Sequence, residues 1–154
     1  MKTVLYKTLP VSRLNEIKPL WEALNHVHWD DSVYFRDHYA SFTFEKRAAR
    51  WKTLSDESIL IVVAETEEKK LIGYCVSTID DANEGEIDSL FVDPNFRGQH
   101  IGHELVLKSL NWLYDNQCKP IRLAVSFGHE SVVGFYEKIG FLPRMTILEY
   151  KPTK

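Results

Sequence analysis

The sequence predicts one α+β domain in which a mixed, mostly antiparallel central sheet is flanked by helices. The chain has 154 residues, 44% of them hydrophobic and 27% charged, which is the size and composition of a single folded domain over residues 1–154. Short β-branched runs in the middle of the chain are separated by only a few polar residues, as in an antiparallel meander. Runs with helical periodicity flank these strands on both sides. The predicted element order is β-α-α-β-β-β-α-β-α-β.

The first third of the chain is predicted to be mainly helical after one short strand. Residues 2–9 form a strand candidate that ends at Pro10, and residues 14–24 place their apolar side chains at helical spacing. Residues 25–39 are rich in His, Asp and aromatic side chains but show no clean period, so an irregular segment is expected there. Residues 44–54 return to a helical pattern.

The remainder of the chain alternates strands and helices. Three strands with short polar links between them are predicted at residues 59–66, 71–79 and 86–92. Pro94 ends the third strand, and residues 101–116 predict a helix that is apolar over most of its surface and therefore largely buried. The last predicted elements are a strand at residues 121–127, a short helix at 131–138, and a strand or hairpin arm at 141–150.

Charge and composition exclude several classes of function. Nineteen basic against 22 acidic residues give a formal net charge of -3, so there is no basic field for nucleic acid. The longest apolar run, residues 59–64, is far shorter than a membrane span, and the first residues lack the apolar core of a secretory signal. We therefore expect a cytoplasmic protein with no membrane or nucleic-acid partner. Cys75 and Cys118 are the only cysteines, too few for a disulfide framework or a Cys-based zinc site.

A metal site built from histidine is considered and not favoured. His26, His28 and Asp30 stand at alternate positions, as ligands do on a strand of some metal hydrolases. They follow a predicted helix, and no further ligand cluster is apparent in the sequence. We predict that the protein binds no metal.

The most informative segment is the loop between the third predicted strand and the buried helix. Arg97, Gly98 and Gly102 stand in this loop and at the helix start, where backbone N–H groups are free. Free N–H groups, small residues and a nearby Arg form an anion site, for which pyrophosphate is a natural ligand. A structural alternative stays open, in which Gly98 only turns the chain and Gly102 only packs against the sheet. The glycine patterns of the nucleotide P-loop and of the dinucleotide fold are not matched.

The residues of this segment resemble a known family. Residues 91–102 are similar to the acyl-CoA pyrophosphate loop of the GCN5-related N-acetyltransferase (GNAT) family, Gln/Arg-x-x-Gly-x-Gly/Ala. Arg97 and Gly102 match that pattern, whereas His100 stands where Gly is usual. Residues 129–141 resemble a second family segment, Asn-x-x-Ala-x-x-Phe-Tyr-x-x-x-Gly-Phe, with His129 at the Asn position. With the element order, the resemblance covers about residues 59–150.

The resemblance implies how acetyl-CoA is bound, and it implies no metal. The strand that carries Phe91 and Val92 would diverge from the strand at residues 121–127, and the pantetheine arm would lie in the gap. Main-chain N–H groups of the loop would hold the pyrophosphate. His100 would either donate its ring N–H to a phosphate or, through its Cβ, block the coenzyme. The implied coenzyme contacts are Phe91, Val92, Arg97, Gly98, Gln99, His100, Ile101, Gly102, His103 and His129.

The resemblance also implies a catalytic base and a catalytic acid. Glu86 lies eleven residues before Arg97, the spacing at which histone-acetylating members carry their catalytic Glu, and Asp88 is the second candidate. Tyr136 matches the family's general-acid Tyr, which would protonate the coenzyme A thiolate. The N–H of Val92 would meet the oxyanion. The alternatives are a solvated strand-end charge for Glu86 and a packing aromatic for Tyr136.

These expectations combine into a function. We expect an N-acetyltransferase that moves an acetyl group from acetyl-CoA to the primary amine of a small molecule by direct attack. Carboxylates and aromatic rings in residues 26–39 would line the acceptor site, and the final strand near Leu148 is a candidate homodimer contact. Two alternatives stay open: a protein lysine or N-terminal acetyltransferase, and a non-catalytic acyl-CoA-binding module.

Overall fold

The sheet of the protein, seen in a computed structural model that describes residues 2–153, has five strands in the order β1-β2-β3-β4-β5. The strands are β1 (Val4–Leu9), β2 (Ile59–Thr66), β3 (Leu71–Ile79), β4 (Gly85–Val92) and β5 (Ile121–Leu123). Strands β1 to β4 pair antiparallel, and β5 pairs parallel with β4. The predicted mixed, mostly antiparallel sheet is confirmed.

Helices cover both faces of this sheet. They are α1 (Lys18–Asp31), α2 (Arg36–Ser41), α3 (Phe44–Trp51), α4 (Ile101–Asp115) and α5 (Val133–Glu137). Alternate residues of β2 point to opposite faces, so Ile61 and Val63 join the core under α1 and α3, whereas Val62 and Ala64 join the core under α4. None of the helices between residues 2 and 153 is both long and apolar enough to cross a membrane.

The first long helix differs from its predicted bounds. Residues Val11–Ile17 form a 3₁₀ helix, and α1 begins only at Lys18 and continues to Asp31, through the segment expected to be irregular. The inward face of α1 includes Asn25 and His28, which continue the spacing set by its apolar residues. Because these two residues are polar, a count of apolar side chains alone misses the second half of the helix. The amide of Asn25 donates to the backbone oxygens of Tyr39 and Phe42, at 2.8 and 3.2 Å.

The C-terminal strands are shorter than predicted. β5 ends at Leu123 rather than at residue 127, and residues 141–150 form no strand. This C-terminal segment, residues 141–150, has no regular secondary structure, and Met145, Ile147, Leu148 and Tyr150 in it are 68–90% exposed. Its alternating apolar residues predict a strand, but pairing needs a neighbour, and within residues 2–153 no strand runs beside it.

Candidate active site

The strands β4 and β5 diverge after three paired residues. Their pairing runs from Gly85 with Ile121 to Ile87 with Leu123 and then stops. A cavity of about 360 Å³ opens where the strands part. Its walls are residues 86–90 of β4, residues 123–126 beyond β5, parts of α1 and α2, and the region around α5. This divergence is the one that the resemblance implied.

The far half of β4 presents backbone groups to the gap. The N–H of Asp93 donates to the oxygen of Ile72 at 2.8 Å, and N–H directions alternate along an antiparallel pair. The N–H groups of Val92 and Leu90 therefore point away from β3, toward the gap. The ring of Phe91 is 5% exposed and packs in the core. By the same alternation its backbone groups point toward β3, so Phe91, expected as a coenzyme contact, offers no free group to a ligand in the gap.

The loop after β4 carries a run of unpaired backbone donors. A 3₁₀ turn at Pro94–Phe96 leads into the loop, and α4 begins at Ile101. No N–H group of residues 98–103 donates a hydrogen bond to any other described residue. Gly98 has φ +78°, and His100 has φ +60°, a left-handed conformation that favours glycine. The exposed loop therefore has the geometry of an anion cradle, and the backbone explains why glycine suits position 100.

Arg97 and Gly102 frame this cradle. The Nε of Arg97 donates to the oxygen of Val92 at 3.1 Å, and its guanidinium lies 5.5 Å from the ring centre of Phe91. A Cβ on Gly102 would lie 3.5 Å from Phe135 and 3.6 Å from Val92, which is ordinary contact. A small side chain would therefore fit at position 102, and the packing of α4 against β4 and α5 does not itself require glycine. The turning role of Gly98 coexists with the free N–H groups.

Glu86 is the unpaired carboxylate of the cavity. It lies at the start of β4, lines the cavity, and accepts no hydrogen bond from residues 2–153. Glu86 is exposed to solvent, but partial desolvation at the cavity raises the pKa of its carboxyl, and the neighbouring charge of Asp88 raises it further. A carboxylate with a raised pKa is a stronger base, which suits proton abstraction near neutral pH.

Asp88, the second candidate base, is tied to the surrounding structure. Its side chain is 0% exposed and accepts hydrogen bonds from Trp51 Nε1 at 2.9 Å and Thr78 Oγ1 at 2.8 Å. Arg50 contacts the same carboxylate at 3.3 Å. Asp88 therefore anchors α3 to the sheet, and its oxygens are engaged.

Tyr136 lines the cavity with a ring that packs against its neighbours and a hydroxyl that has no partner within residues 2–153. Its ring contacts Phe135 and Phe141 edge-on, with centroids 5.0 and 6.1 Å away. The residue lines the cavity, and its hydroxyl bonds to no other group in the described part of the chain. Burial raises the pKa of Tyr136, so the phenol keeps its proton. A neutral phenol with a free O–H is a proton donor.

Helices α1 and α2 form the acceptor-side wall. This wall contains Trp21, Leu24, Asn25, His28, His38, Tyr39 and Phe42. Of these, Trp21, Leu24, Asn25 and Phe42 were not among the expected lining residues, although helical spacing from Trp21 indicates the face of α1 that carries them. His26 and Asp30 pair with each other at 3.5 Å and do not line the cavity. Over residues 2–153, no three His, Cys, Asp or Glu side chains come together as a metal site.

A bridge joins this wall to the loop between β5 and α5. Tyr39 donates from its hydroxyl to Ser126 Oγ at 2.8 Å, and His129 Nδ1 lies 2.7 Å from Asp31 Oδ2. Gly128, with φ +99°, packs against the end of α1: a Cβ there would lie 2.0 Å from the backbone oxygen of Asp31. These three contacts, the bridge, close one side of the cavity.

The chain is similar in sequence to known acetyltransferases. The chain is 39% identical over 75 residues to GCN5-related N-acetyltransferase 2, chloroplastic, of Arabidopsis thaliana, covering 49% of the chain and 28% of that protein. It is 25% identical over 126 residues to a mycothiol acetyltransferase of Kytococcus sedentarius, covering 79% of the chain and 43% of that protein. The chain thus matches less than half the length of these curated relatives.

A solved structure extends the likeness over nearly the whole fold. The PaiA N-acetyltransferase of Thermoplasma acidophilum, in complex with coenzyme A, superposes with a TM-score of 0.75 at 21% identity, covering 94% of this chain and 93% of that one. The model of the acetyltransferase (GNAT) family matches residues 21–141, more than half of the chain and the whole of the cavity. The chain therefore belongs to the acetyltransferase (GNAT) family, whose co-substrate is acetyl-CoA.

Proposed function

We propose that this chain is a cytoplasmic N-acetyltransferase, one domain over residues 1–154, that acetylates the primary amine of a small molecule. The observation that carries the proposal is the placement of Glu86 and Tyr136 in one cavity, at the point where β4 and β5 part. One is an unpaired carboxylate with a raised pKa, and the other is a phenol that keeps its proton. A base and an acid on one cavity are what direct acyl transfer to an amine requires.

Acetyl-CoA fits the gap and the loop beside it. The pantetheine arm lies along β4, where the N–H groups of Leu90 and Val92 face the gap. The pyrophosphate binds the N–H groups of residues 98–103, which have no partner among the described residues. Three side chains at the edge of this loop can add contacts to the phosphates: the guanidinium of Arg97 and the rings of His100 and His103. Phe91 makes no direct contact, because its ring is buried and its backbone groups face β3.

The chemistry follows from these positions. The acceptor nitrogen attacks the thioester carbonyl, the C–N bond forms, and the carbonyl oxygen takes up negative charge. The N–H of Leu90, which lines the cavity, stabilises this charge. The N–H of Val92, two residues farther along β4, bonds to the pantetheine arm. Glu86 accepts a proton from the nitrogen, directly or through water. As the C–S bond breaks, Tyr136 gives its proton to the leaving thiolate.

The bridge favours a small acceptor over a protein one. A lysine on a protein surface needs an open groove beside the thioester. Here Tyr39 with Ser126, and Asp31 with His129, join the two sides of the acceptor end. A protein that used this cavity only to bind acyl-CoA would not need a base and an acid there. The side chains of Glu86 and Tyr136, both unpaired in the part of the chain that the structure describes, therefore favour an enzyme over an acyl-CoA-binding module.

A homodimer through the C-terminal segment is part of the proposal. Ile147, Leu148 and Tyr150 are 80–90% exposed, and the outer edge of β5 has no partner strand within residues 2–153. If residues 141–150 of a second copy paired with the outer edge of β5, the pairing would cover the exposed apolar side chains and that strand edge. Light scattering tests it: Leu148→Lys is expected to convert a dimer to a monomer, and a wild-type monomer at every concentration would contradict it.

Acetyl transfer to a panel of small amines tests the catalytic proposal. We expect Glu86→Gln and Tyr136→Phe each to lower kcat about 10²- to 10⁴-fold. Glu84→Gln and Tyr114→Phe are matched controls, since Glu84 pairs with Arg122 and Tyr114 is 76% exposed on α4. Transfer to peptide lysines alone would favour the protein-acetylating alternative. Coenzyme binding without any transfer would favour the binding module.

A further inference from the structure

His129, which the resemblance implied as a coenzyme contact, forms a hydrogen-bonded pair with Asp31 of α1 on the acceptor side of the cavity. Asp31 is the last residue of α1, and His129 lies in the loop before α5, so the fold brings together residues 98 positions apart. His129 Nδ1 lies 2.7 Å from Asp31 Oδ2, and His129 lines the cavity with its side chain 19% exposed. A carboxylate only accepts hydrogen bonds, so Nδ1 carries the proton and Nε2 is left with a lone pair.

The remaining nitrogen is available for chemistry. Nε2 of His129 makes no hydrogen bond to any of residues 2–153. A histidine whose Nδ1–H is held by a carboxylate is the arrangement that orients an imidazole base in unrelated enzymes. The carboxylate also stabilises the imidazolium that forms when Nε2 takes up a proton.

The groups around His129 permit this charge. The His28 ring of α1 packs edge-on at 5.3 Å between centroids, with Tyr39 of α2 behind it, and Glu130 follows on the next turn. Burial, and then the charge of His129, lower the pKa of His28 to about 4, so His28 is neutral near pH 7. Asp31 and Glu130 are acidic. An imidazolium at His129 therefore lies beside two carboxylates, Asp31 and Glu130, and beside the neutral ring of His28.

The acceptor must lose two protons, and Glu86 accounts for only one of them. A primary amine is mostly an ammonium ion near pH 7, since a lysine-type amine has a pKa of about 10.4. It loses one proton before it attacks and a second from the nitrogen of the adduct. Glu86 lies on β4, the strand proposed to position the thioester, whereas His129 lies on the opposite side, beside the helices of the acceptor wall.

We propose that His129, oriented by Asp31, is a second catalytic base that takes the first proton from the incoming ammonium group. The N–H bond of the ammonium breaks, its electron pair stays on the amine nitrogen, and Nε2 of His129 gains the proton. The amine then attacks, Glu86 takes the second proton, and Tyr136 protonates the thiolate. The proton on Glu86 then passes through water to the Tyr136 phenolate, so both groups regain their starting state. His129 returns its proton to solvent, which balances the release of one proton per acetyl group transferred. This inference rests on the proposed N-acetyltransferase function.

The pH dependence of transfer separates this role from a purely structural one. In His129→Gln, kcat/KM for an amine of pKa near 10 is expected to fall about 100-fold at pH 7. Near pH 9.5 the variant should be within about threefold of the wild type, because a much larger fraction of the amine is already neutral there and needs no base to remove its first proton. The loss in Glu86→Gln should not shrink in the same way, because the adduct nitrogen still has a proton to lose. Asp31→Asn should give a smaller loss with the same pH trend.

Matched controls lie on the outer face of the same helix. His26 and Asp30 form a second His–carboxylate pair that does not line the cavity, so His26→Gln and Asp30→Asn should keep the wild-type profile. His129→Asn retains an N–H donor for Asp31, and it should lose activity like His129→Gln while unfolding near the wild-type temperature.

Each outcome decides between separate claims. A wild-type protein that transfers acetyl groups, with His129 variants that are unaffected or reduced equally at every pH, would overturn the second base and leave the proposed function standing. A wild-type protein that acetylates no amine would overturn both. A pH-dependent loss in the His129 variants, with unchanged acetyl-CoA affinity, supports the second base.

Discussion

Gly128 holds the loop between β5 and α5 against the end of α1, and its replacement should cost measurable stability. A Cβ at this position would lie 2.0 Å from the backbone oxygen of Asp31 and 2.9 Å from its carbonyl carbon. Neither atom belongs to a flexible side chain, so the loop itself must move. The φ of +99° adds strain of about 1–2 kcal/mol for a residue with a side chain. Forced displacement of packed atoms adds about 1–3 kcal/mol.

Gly128→Ala is therefore expected to destabilise the protein by about 2–5 kcal/mol. For a domain of this size, each kcal/mol lowers Tm by about 2–4 °C, so calorimetry should show a loss on the order of 10 °C. The movement should also separate His129 from Asp31 and raise KM for the acceptor amine. Acetyl-CoA affinity should change little, because the loop at residues 98–103 lies elsewhere.

Two other glycines are matched controls for this substitution. Gly140 has φ +117°, but a Cβ added there would have no neighbouring atom within 4 Å, so Gly140→Ala should show the strain alone, about 1–2 kcal/mol. Gly134 lies in α5 with open space around it, and Gly134→Ala should be neutral or stabilising by up to about 1 kcal/mol. If Gly128→Ala lowered Tm no more than Gly140→Ala, the close contact with Asp31 would be refuted.

Three further predictions concern stability. Asp88→Ala removes the acceptor for Trp51 and Thr78, and urea unfolding should show a loss of about 2–4 kcal/mol; a loss below about 1 kcal/mol would contradict the anchoring role. The raised pKa of Glu86 means that folding favours its protonated form, so the ionised carboxylate lowers the stability of the folded protein near neutral pH. Glu86→Gln should therefore raise Tm at pH 7 and leave Tm unchanged below about pH 4, where the carboxyl is protonated in both states. An equal rise in Tm at both pH values would show that desolvation of the charge is not the cause. His100→Gly relieves a left-handed backbone at φ +60° and should stabilise by about 0.5–1 kcal/mol in thermal unfolding, whereas a lower Tm would show that His100 makes stabilising contacts.

The strands of the meander were predictable because their signal is local. Residues 59–66 and 71–79 alternate between two buried faces, and the observed strands have the predicted bounds. Helix α1 was predicted too short, because Asn25 and His28 continue its inward face with polar side chains. The strand predicted at residues 141–150 does not form, because a strand also needs a neighbour, and local pattern does not supply one.

The candidate site was predictable only in part. Motif spacing indicated Glu86, Tyr136 and the loop at residues 98–103, and the structure brings the first two together on one cavity. Spacing did not distinguish Glu86 from Asp88, whose engagement by Trp51 and Arg50 depends on residues far away in the chain. The pairing of His129 with Asp31 is likewise a product of tertiary structure.

The central claim is that the loop after β4 binds acetyl-CoA through its backbone. Calorimetric titration of acetyl-CoA into the wild-type protein, Gly102→Glu and His100→Gly tests it most directly. We predict micromolar binding by the wild type and by His100→Gly, and none by Gly102→Glu, whose side chain would enter the space between Val92 and Phe135 and bring a negative charge beside the cradle. Binding by His100→Gly alone would show that His100 closes the site in the natural sequence, and no binding by either would contradict the claim.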